Sequence, residues 1–130
     1  MGESKMDDKV FTYEEASEAL EAVREVTEAA HRRLQELREK IENSPPGSAK
    51  VKKLNEWINT VINQWAEDIM GLGGLPKGLW TVDFDSGKGF YYCWTLNEST
   101  LSYFHHYQEG FMGRKPLAEI EDAPPPMLLN

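Results

Sequence analysis

His105, Glu109 and Arg114 stand close together in the stretch Tyr103-Phe-His-His-Tyr-Gln-Glu-Gly-Phe-Met-Gly-Arg-Lys-Pro-Leu117, and offer an imidazole, a carboxylate and a guanidinium. An imidazole binds metal or moves protons near neutrality, and a guanidinium grips a carboxylate or phosphate in two-pronged fashion. Gly110 and Gly113 allow a sharp turn that folds Arg114 back over the strand end where His105 emerges. The candidate binding set is therefore Tyr103, His105, Glu109, Phe111 and Arg114, with the two aromatics and a residue of the first helix as walls and a small anion as ligand. In that arrangement Arg114 would lower the pKa of Glu109.

A divalent metal is the one cofactor these residues suggest, and His105 with Glu109 is the candidate ligand pair. Along an extended strand their four-residue gap is roughly 13 Å, too long for one ion. A turn beginning near Tyr107 is needed to bring them together. His31, on the first helix, lies beside the apolar stripe and is expected to face solvent.

Each feature also has a plainer meaning. A single imidazole on an aromatic sheet face is more often a buried, hydrogen-bonded core residue than a ligand. The Gly110-Phe-Met-Gly-Arg-Lys115 segment has the parts of an anion cradle, yet Arg114 serves equally as counter-ion to Glu109 or Asp83. Cys93 as a nucleophile needs an exposed sulfur beside a base, and its expected neighbours, Thr81 and Phe104, are not bases. It reads as a half-buried hydrophobe. Asp85-Ser-Gly-Lys-Gly89 is hairpin-turn chemistry, since no helix follows to hold a phosphate.

The elements that must position these groups follow from periodicity. Thr12-Tyr-Glu-Glu15 is a capping box, with Phe11 and Ala16 placed as a hydrophobic staple. From there Ala16, Leu20, Val23, Thr27, Ala30, Leu34, Leu37 and Ile41 form one helical stripe, interrupted only by Thr27. A second helix is expected from Ala49 to Met70, capped by Ser48 and stopped at Gly71. Its apolar set, which includes Trp57, Val61 and Trp65, is broader than one partner helix can cover.

After the Gly71-Leu-Gly-Gly-Leu-Pro-Lys-Gly78 link the period changes to two. Three strands are expected, Leu79 to Phe84, Phe90 to Leu96 and Leu101 to Tyr107. With Phe84 facing Phe90 and Leu96 facing Leu101, the core face carries Trp80, Tyr92, Trp94, Tyr103 and His105. The opposite face then carries Asp83, Tyr91 and His106 in one row and Thr81, Cys93 and Phe104 in the next.

The fold class that results is α+β: a long antiparallel helical hairpin packed on a three-stranded antiparallel β-meander. Residues 1–10 read as a leader and 11–117 as a single domain, made of hairpin 11–71, meander 79–107 and Gly-Arg loop 108–117. Residues 118–130 read as an extended or disordered Pro-rich tail. At 130 residues one domain can bury a core without disulfides. The net charge of −8 repels phosphate backbones and argues against a nucleic-acid partner. No apolar run is long enough to span a bilayer, and the single cysteine with no signal-like leader points to a cytoplasmic location.

Phe11-Thr-Tyr-Glu-Glu-Ala16, Gly78-Leu79, Val82-Asp-Phe84, Cys93-Trp-Thr-Leu96, Tyr103-Phe-His105 and Glu109-Gly-Phe-Met-Gly-Arg-Lys-Pro-Leu117 together resemble the prokaryotic domain-of-unknown-function family 2203. The resemblance covers about residues 10–117 and is strongest in the last forty. Its matching positions are Asp83, Cys93, Trp94, Tyr103, His105, Glu109, Gly110, Phe111, Gly113, Arg114 and Pro116. His106 is not among them, Phe104 stands where a Trp is expected, and the Gly-Leu-Gly-Gly link is unusual. The resemblance implies no activity.

Two functions remain open. One is an oligomeric binding or assembly module, most simply a homodimer through the broad face of the second helix and the second sheet face. It would present the His/Glu/Arg site to a small anionic ligand or a protein partner. The other is a small metal-dependent or acid/base enzyme using His105 and Glu109, with Arg114 orienting an anionic substrate.

Overall fold

The computed structural model describes residues 9–121. It contains helices α1 (Tyr13–Glu42) and α2 (Ala49–Gly71), then strands β1 (Leu75–Pro76), β2 (Thr81–Asp85), β3 (Phe90–Thr95) and β4 (Tyr103–His106). A 3-10 turn (Phe111–Gly113), strand β5 (Lys115–Pro116) and a short helix α3 (Ala118–Glu121) complete it. The five strands form one antiparallel sheet in sequential order. The architecture is thus α+β, with five strands in place of the three expected. The added pair, β1 and β5, are two-residue edges, each containing a proline, that blunt the sheet at both sides.

The capping box forms as the sequence requires: Thr12 Oγ1 accepts from the Glu15 amide at 3.1 Å, and Glu15 Oε1 accepts from the Thr12 amide at 2.9 Å. Such a cap contributes about 1 kcal/mol. Ser48 Oγ caps α2 by accepting from Val51 N at 3.2 Å. Contacts pair Thr27 with Trp65 and Arg33 with Trp57, so position rises along one helix as it falls along the other, which makes the hairpin antiparallel.

Ala16, Leu20, Val23, Thr27, Leu34 and Leu37 are the buried residues of α1, all from the expected stripe. Thr27 interrupts it for a reason: its hydroxyl accepts the indole N–H of Trp65 at 2.8 Å, which satisfies both polar groups in the core. The sheet covers the end of the hairpin that holds Trp65 and the N-terminal half of α1. Phe11 meets Phe84 edge-on, Tyr13 meets Tyr92, and Trp65 meets Trp80, at ring separations of 5.2, 5.8 and 5.1 Å.

Trp80 adopts φ +66°, a left-handed conformation that costs on the order of 1–2 kcal/mol outside glycine. Offsetting contacts surround it. Its ring lies between Trp65 and His31, and its carbonyl accepts from Leu96 N and Thr95 Oγ1. His31 is therefore half-buried against an indole and does not simply face solvent. Gly74 explains part of the glycine-rich link, because a Cβ there would stand 2.9 Å from Val82 Cγ1 and push β1 off the core.

Sheet register departs from expectation in two ways. Phe84 pairs with Tyr92 where Phe90 was expected, a shift of two that keeps every side chain of β2 and β3 on its expected face. In β4 the shift is one: Tyr91 pairs with His105 and Cys93 with Tyr103, so His105 and Tyr103 lie on the face away from the helices, and Phe104 lies toward them. The reason is Leu101. It is buried as expected, but it precedes the strand, in a segment where Tyr13 Oη donates to its carbonyl at 3.0 Å. Leu101 and Phe104, three apart, both reach the core, which a strand beginning at Leu101 would forbid.

The termini of the described chain are also more structured than expected. Phe11 N donates to Asp85 O at 2.7 Å, Val10 packs against Gly87, and Ala118–Glu121 forms a helical turn. Residues 1–8 of the expected leader and 122–130 of the expected tail lie outside the described residues. Among the described residues, no helix is long and apolar enough to cross a membrane.

Candidate functional site

The one-residue register of β4 assembles a cluster that sequence reasoning did not find. Asp83 on β2 and Cys93 on β3 face each other directly, and His105 on β4 reaches across from the other side. Their exposures are 1, 0 and 3%, so all three are almost fully buried. One ligand-capable atom from each lies within 4.8 Å of the other two.

His105 is held at both ring nitrogens. Nδ1 lies 3.1 Å from the carbonyl oxygen of His106, and Nε2 lies 3.0 Å from Asp83 Oδ2. A carbonyl can only accept, so Nδ1 carries a hydrogen. Asp83 Oδ1 is buried with no hydrogen-bond partner. An acceptor left in that state costs about 1–3 kcal/mol, more when charged, so it marks a place where another group would be stabilising.

Cys93 is not armed as a nucleophile. Burial, reinforced by the charge of Asp83, pushes its thiol well above the usual range. His105, engaged on both sides, has no lone pair to direct at the sulfur. The expected neighbours of Cys93, Thr81 and Phe104, are replaced by Asp83 and Tyr103.

Above the cluster is a cavity of about 260 Å³. Its floor is Asp83, Cys93 and His105; Tyr91, Tyr107 and Phe111 wall it, with Lys77 and Glu109 at the rim. Lys77 Nζ sits 5.7 Å from the centre of the Tyr91 ring. Tyr107 Oη donates to Asp85 Oδ1 at 2.6 Å, and that bond to a carboxylate raises the pKa of the phenol. Burial, then the charges of Asp85 and Asp83, raise the pKa of Tyr91 in the same direction.

The five residues expected to bind ligand are divided by this geometry. His105 is on the cavity floor, and Phe111 and Glu109 line it. Glu109 does not reach His105. Its Oε1 accepts from the His106 amide at 3.2 Å and its Oε2 faces Lys115 Nζ at 3.7 Å, and these, the amide first, lower its pKa. Arg114 is not its partner.

Arg114 and Tyr103 lie outside the cavity lining. The Arg114 Nη2 is 2.7 Å from both carboxylate oxygens of Glu98 and 3.3 Å from Cys93 O. Its guanidinium carbon stands 4.1 Å from the centre of the Tyr103 ring and 4.6 Å from that of Phe111. It braces the 3-10 turn to the sheet as a neutralised, stacked ion. Helix α1 contributes no wall, because His105 points away from it. Gly113 is required by proximity and not by turn geometry: a Cβ there would meet Glu109 Cβ at 2.8 Å.

One signal in the sequence could have found the cluster. Asp83 interrupts Val82 and Phe84 in an otherwise apolar strand, and a carboxylate in that setting demands a partner across the sheet. The partner is legible only once the register of β4 is known.

The chain belongs to the family described as uncharacterized conserved protein (DUF2203), whose model matches residues 9–117. No curated protein and no solved structure is detectably similar to it.

Proposed function

We propose that this protein is a small-ligand binding module whose site is the cavity on the outer sheet face, and that its ligand is a small anion. The observation that carries this reading is how the ionisable groups of the lining are partnered. Each acid there already has a partner: Asp83 is bonded to His105, and Glu109 is held by the His106 amide and Lys115. Lys77 contacts only an aromatic ring among the described residues, which leaves its ammonium available at the rim. A small carboxylate or phosphate fits the volume, with its charge at Lys77 and any apolar part between Tyr91 and Phe111.

The reading keeps His105, Glu109 and Phe111 as site residues and moves the cationic role from Arg114 to Lys77. An acid/base enzyme built on His105 and Glu109 is less favoured, since neither ring nitrogen of His105 is free to exchange a proton with a substrate. A reducing cytoplasm suits a chain with one buried, unpaired thiol.

The test is a titration of isotope-labelled protein with phosphate, sulfate and acetate, followed by the amide signals of Gly78, Gly110 and Tyr91. Saturable shifts below millimolar, weakened tenfold or more by Lys77→Gln, are expected. Absence of saturation in the wild type removes the reading.

We also infer self-association through α2. Trp57 and Met70 are 49 and 54% exposed, and Ile58, Val61 and Ile62 are only half-buried, so the apolar arc of this helix exceeds what α1 and the sheet cover. The sheet-face route to a dimer loses its support, because Phe104 packs inward and Cys93 is fully buried.

A further inference from the structure

We propose that Asp83, Cys93 and His105 form a binding site for a zinc-like divalent metal, which opens into the cavity at its fourth position. The inference uses the same cavity but does not depend on anion binding. Three observations converge on it.

The first is the donor set. A thiol, an imidazole and a carboxylate from three adjacent strands bring one atom each within 4.8 Å of one another. In a tetrahedral zinc site such atoms stand about 3.3–3.8 Å apart. Closing that difference needs side-chain movements of about 1 Å, within reach of χ rotations on a rigid sheet. Thiolate with imidazole selects zinc, or cobalt as its probe, over magnesium and calcium, which prefer all-oxygen shells.

The second is the orientation of His105. A metal-binding histidine characteristically donates its other ring N–H to a carbonyl or carboxylate, which fixes the tautomer and aims the remaining nitrogen at the ion. Here Nδ1 donates to His106 O, and Nε2 points at Asp83. The ion would lie between Nε2 and the Asp83 carboxylate, with Nε2 as its imidazole ligand.

The third is Asp83 Oδ1, a buried carboxylate oxygen of the cluster that has no hydrogen-bond partner. A cation between these groups would give that orphaned acceptor a partner. The three strands leave one side of the cluster open, toward the cavity walled by Tyr91 and Phe111. Three protein ligands with an open fourth position is the pattern of a reactive zinc site, in contrast to the closed four-ligand pattern of a structural one.

Chelator-treated protein is titrated with cobalt(II) and, separately, with zinc(II) against a chromophoric chelator. One ion per chain is expected, with a thiolate-to-cobalt charge-transfer band in the near ultraviolet. Cys93→Ser should abolish the band, His105→Gln and Asp83→Asn should weaken binding at least tenfold, and His106→Gln should leave it unchanged. Should the cluster variants fail to fold, X-ray absorption of the zinc-loaded wild type decides, with one sulfur at about 2.3 Å and nitrogen or oxygen ligands at about 2.0–2.2 Å expected. Failure of the wild type to bind stoichiometrically, a zinc shell without sulfur, or equal loss of binding in His106→Gln overturns the proposal. Anion titration of the chelated protein is a separate experiment, so either reading can fail alone.

Discussion

His105 Nε2 and Asp83 Oδ2 meet at 3.0 Å across strand β3, joining two strands that do not pair with each other. Both side chains are almost fully buried, at 4 and 1% exposure. The pair therefore ties the outer face of the sheet together above Cys93, and removing one member leaves the other buried without a counter-group.

Breaking such a pair costs about 3–5 kcal/mol. Asp83→Asn and His105→Gln are each expected to lower unfolding free energy by that order. The double variant should lose less than the sum of the two. Urea denaturation of the three proteins measures the coupling.

Thr27→Val keeps the shape of the core and leaves the Trp65 indole N–H without its acceptor. A loss of about 1–3 kcal/mol is expected. Thr27→Ser, which retains the oxygen, should lose markedly less. Equal losses in the two would show that packing around the methyl group, and not the hydrogen bond, is what matters there.

Arg114→Lys is expected to destabilise despite keeping its charge, because an ammonium has no planar face with which to stack on Tyr103 and Phe111. A lower melting temperature in Arg114→Lys and in Glu98→Gln, with anion titration unchanged in both, supports the bracing role. Loss of anion binding without loss of stability would return Arg114 to the site.

The thiol of Cys93 is raised in the folded chain, so it contributes stability that is fully present below the pKa of an unfolded cysteine, about 8.5, and is lost as pH rises. In metal-free protein the unfolding free energy should fall between about pH 8.5 and 10, by at most about 1.4 kcal/mol per pH unit. Cys93→Ala should flatten that slope. The tyrosines with raised pKa act in the same direction but only from about pH 10 upward.

Sedimentation at micromolar concentration is expected to show a species larger than the 14.9 kDa chain. Trp57→Glu should return it to a monomer without loss of helix content. A monomeric wild type would assign the exposed face of α2 to some other contact.

The helices were legible in the sequence because their determinants are local. The Thr12 and Ser48 caps act within three residues, and the stripe from Ala16 to Leu37 repeats at a period that names its buried side directly. Even the exception, Thr27, stood out in the pattern, although its partner Trp65 did not. The inward faces of β2 and β3 were legible for a similar reason: a period of two survives a register shift of two. Strand β4 was not, because Leu101 is buried from outside the ladder and so says nothing about which of Phe104 and His105 faces the helices. Strands β1 and β5 are too short to show any period. The cluster of Asp83, Cys93 and His105, and the engagement of Arg114 by Glu98 in place of Glu109, are decided by pairing between distant segments. Residue type and spacing fix which groups can do chemistry, but the strand-to-strand register, a cooperative result of core packing, fixes which of them meet.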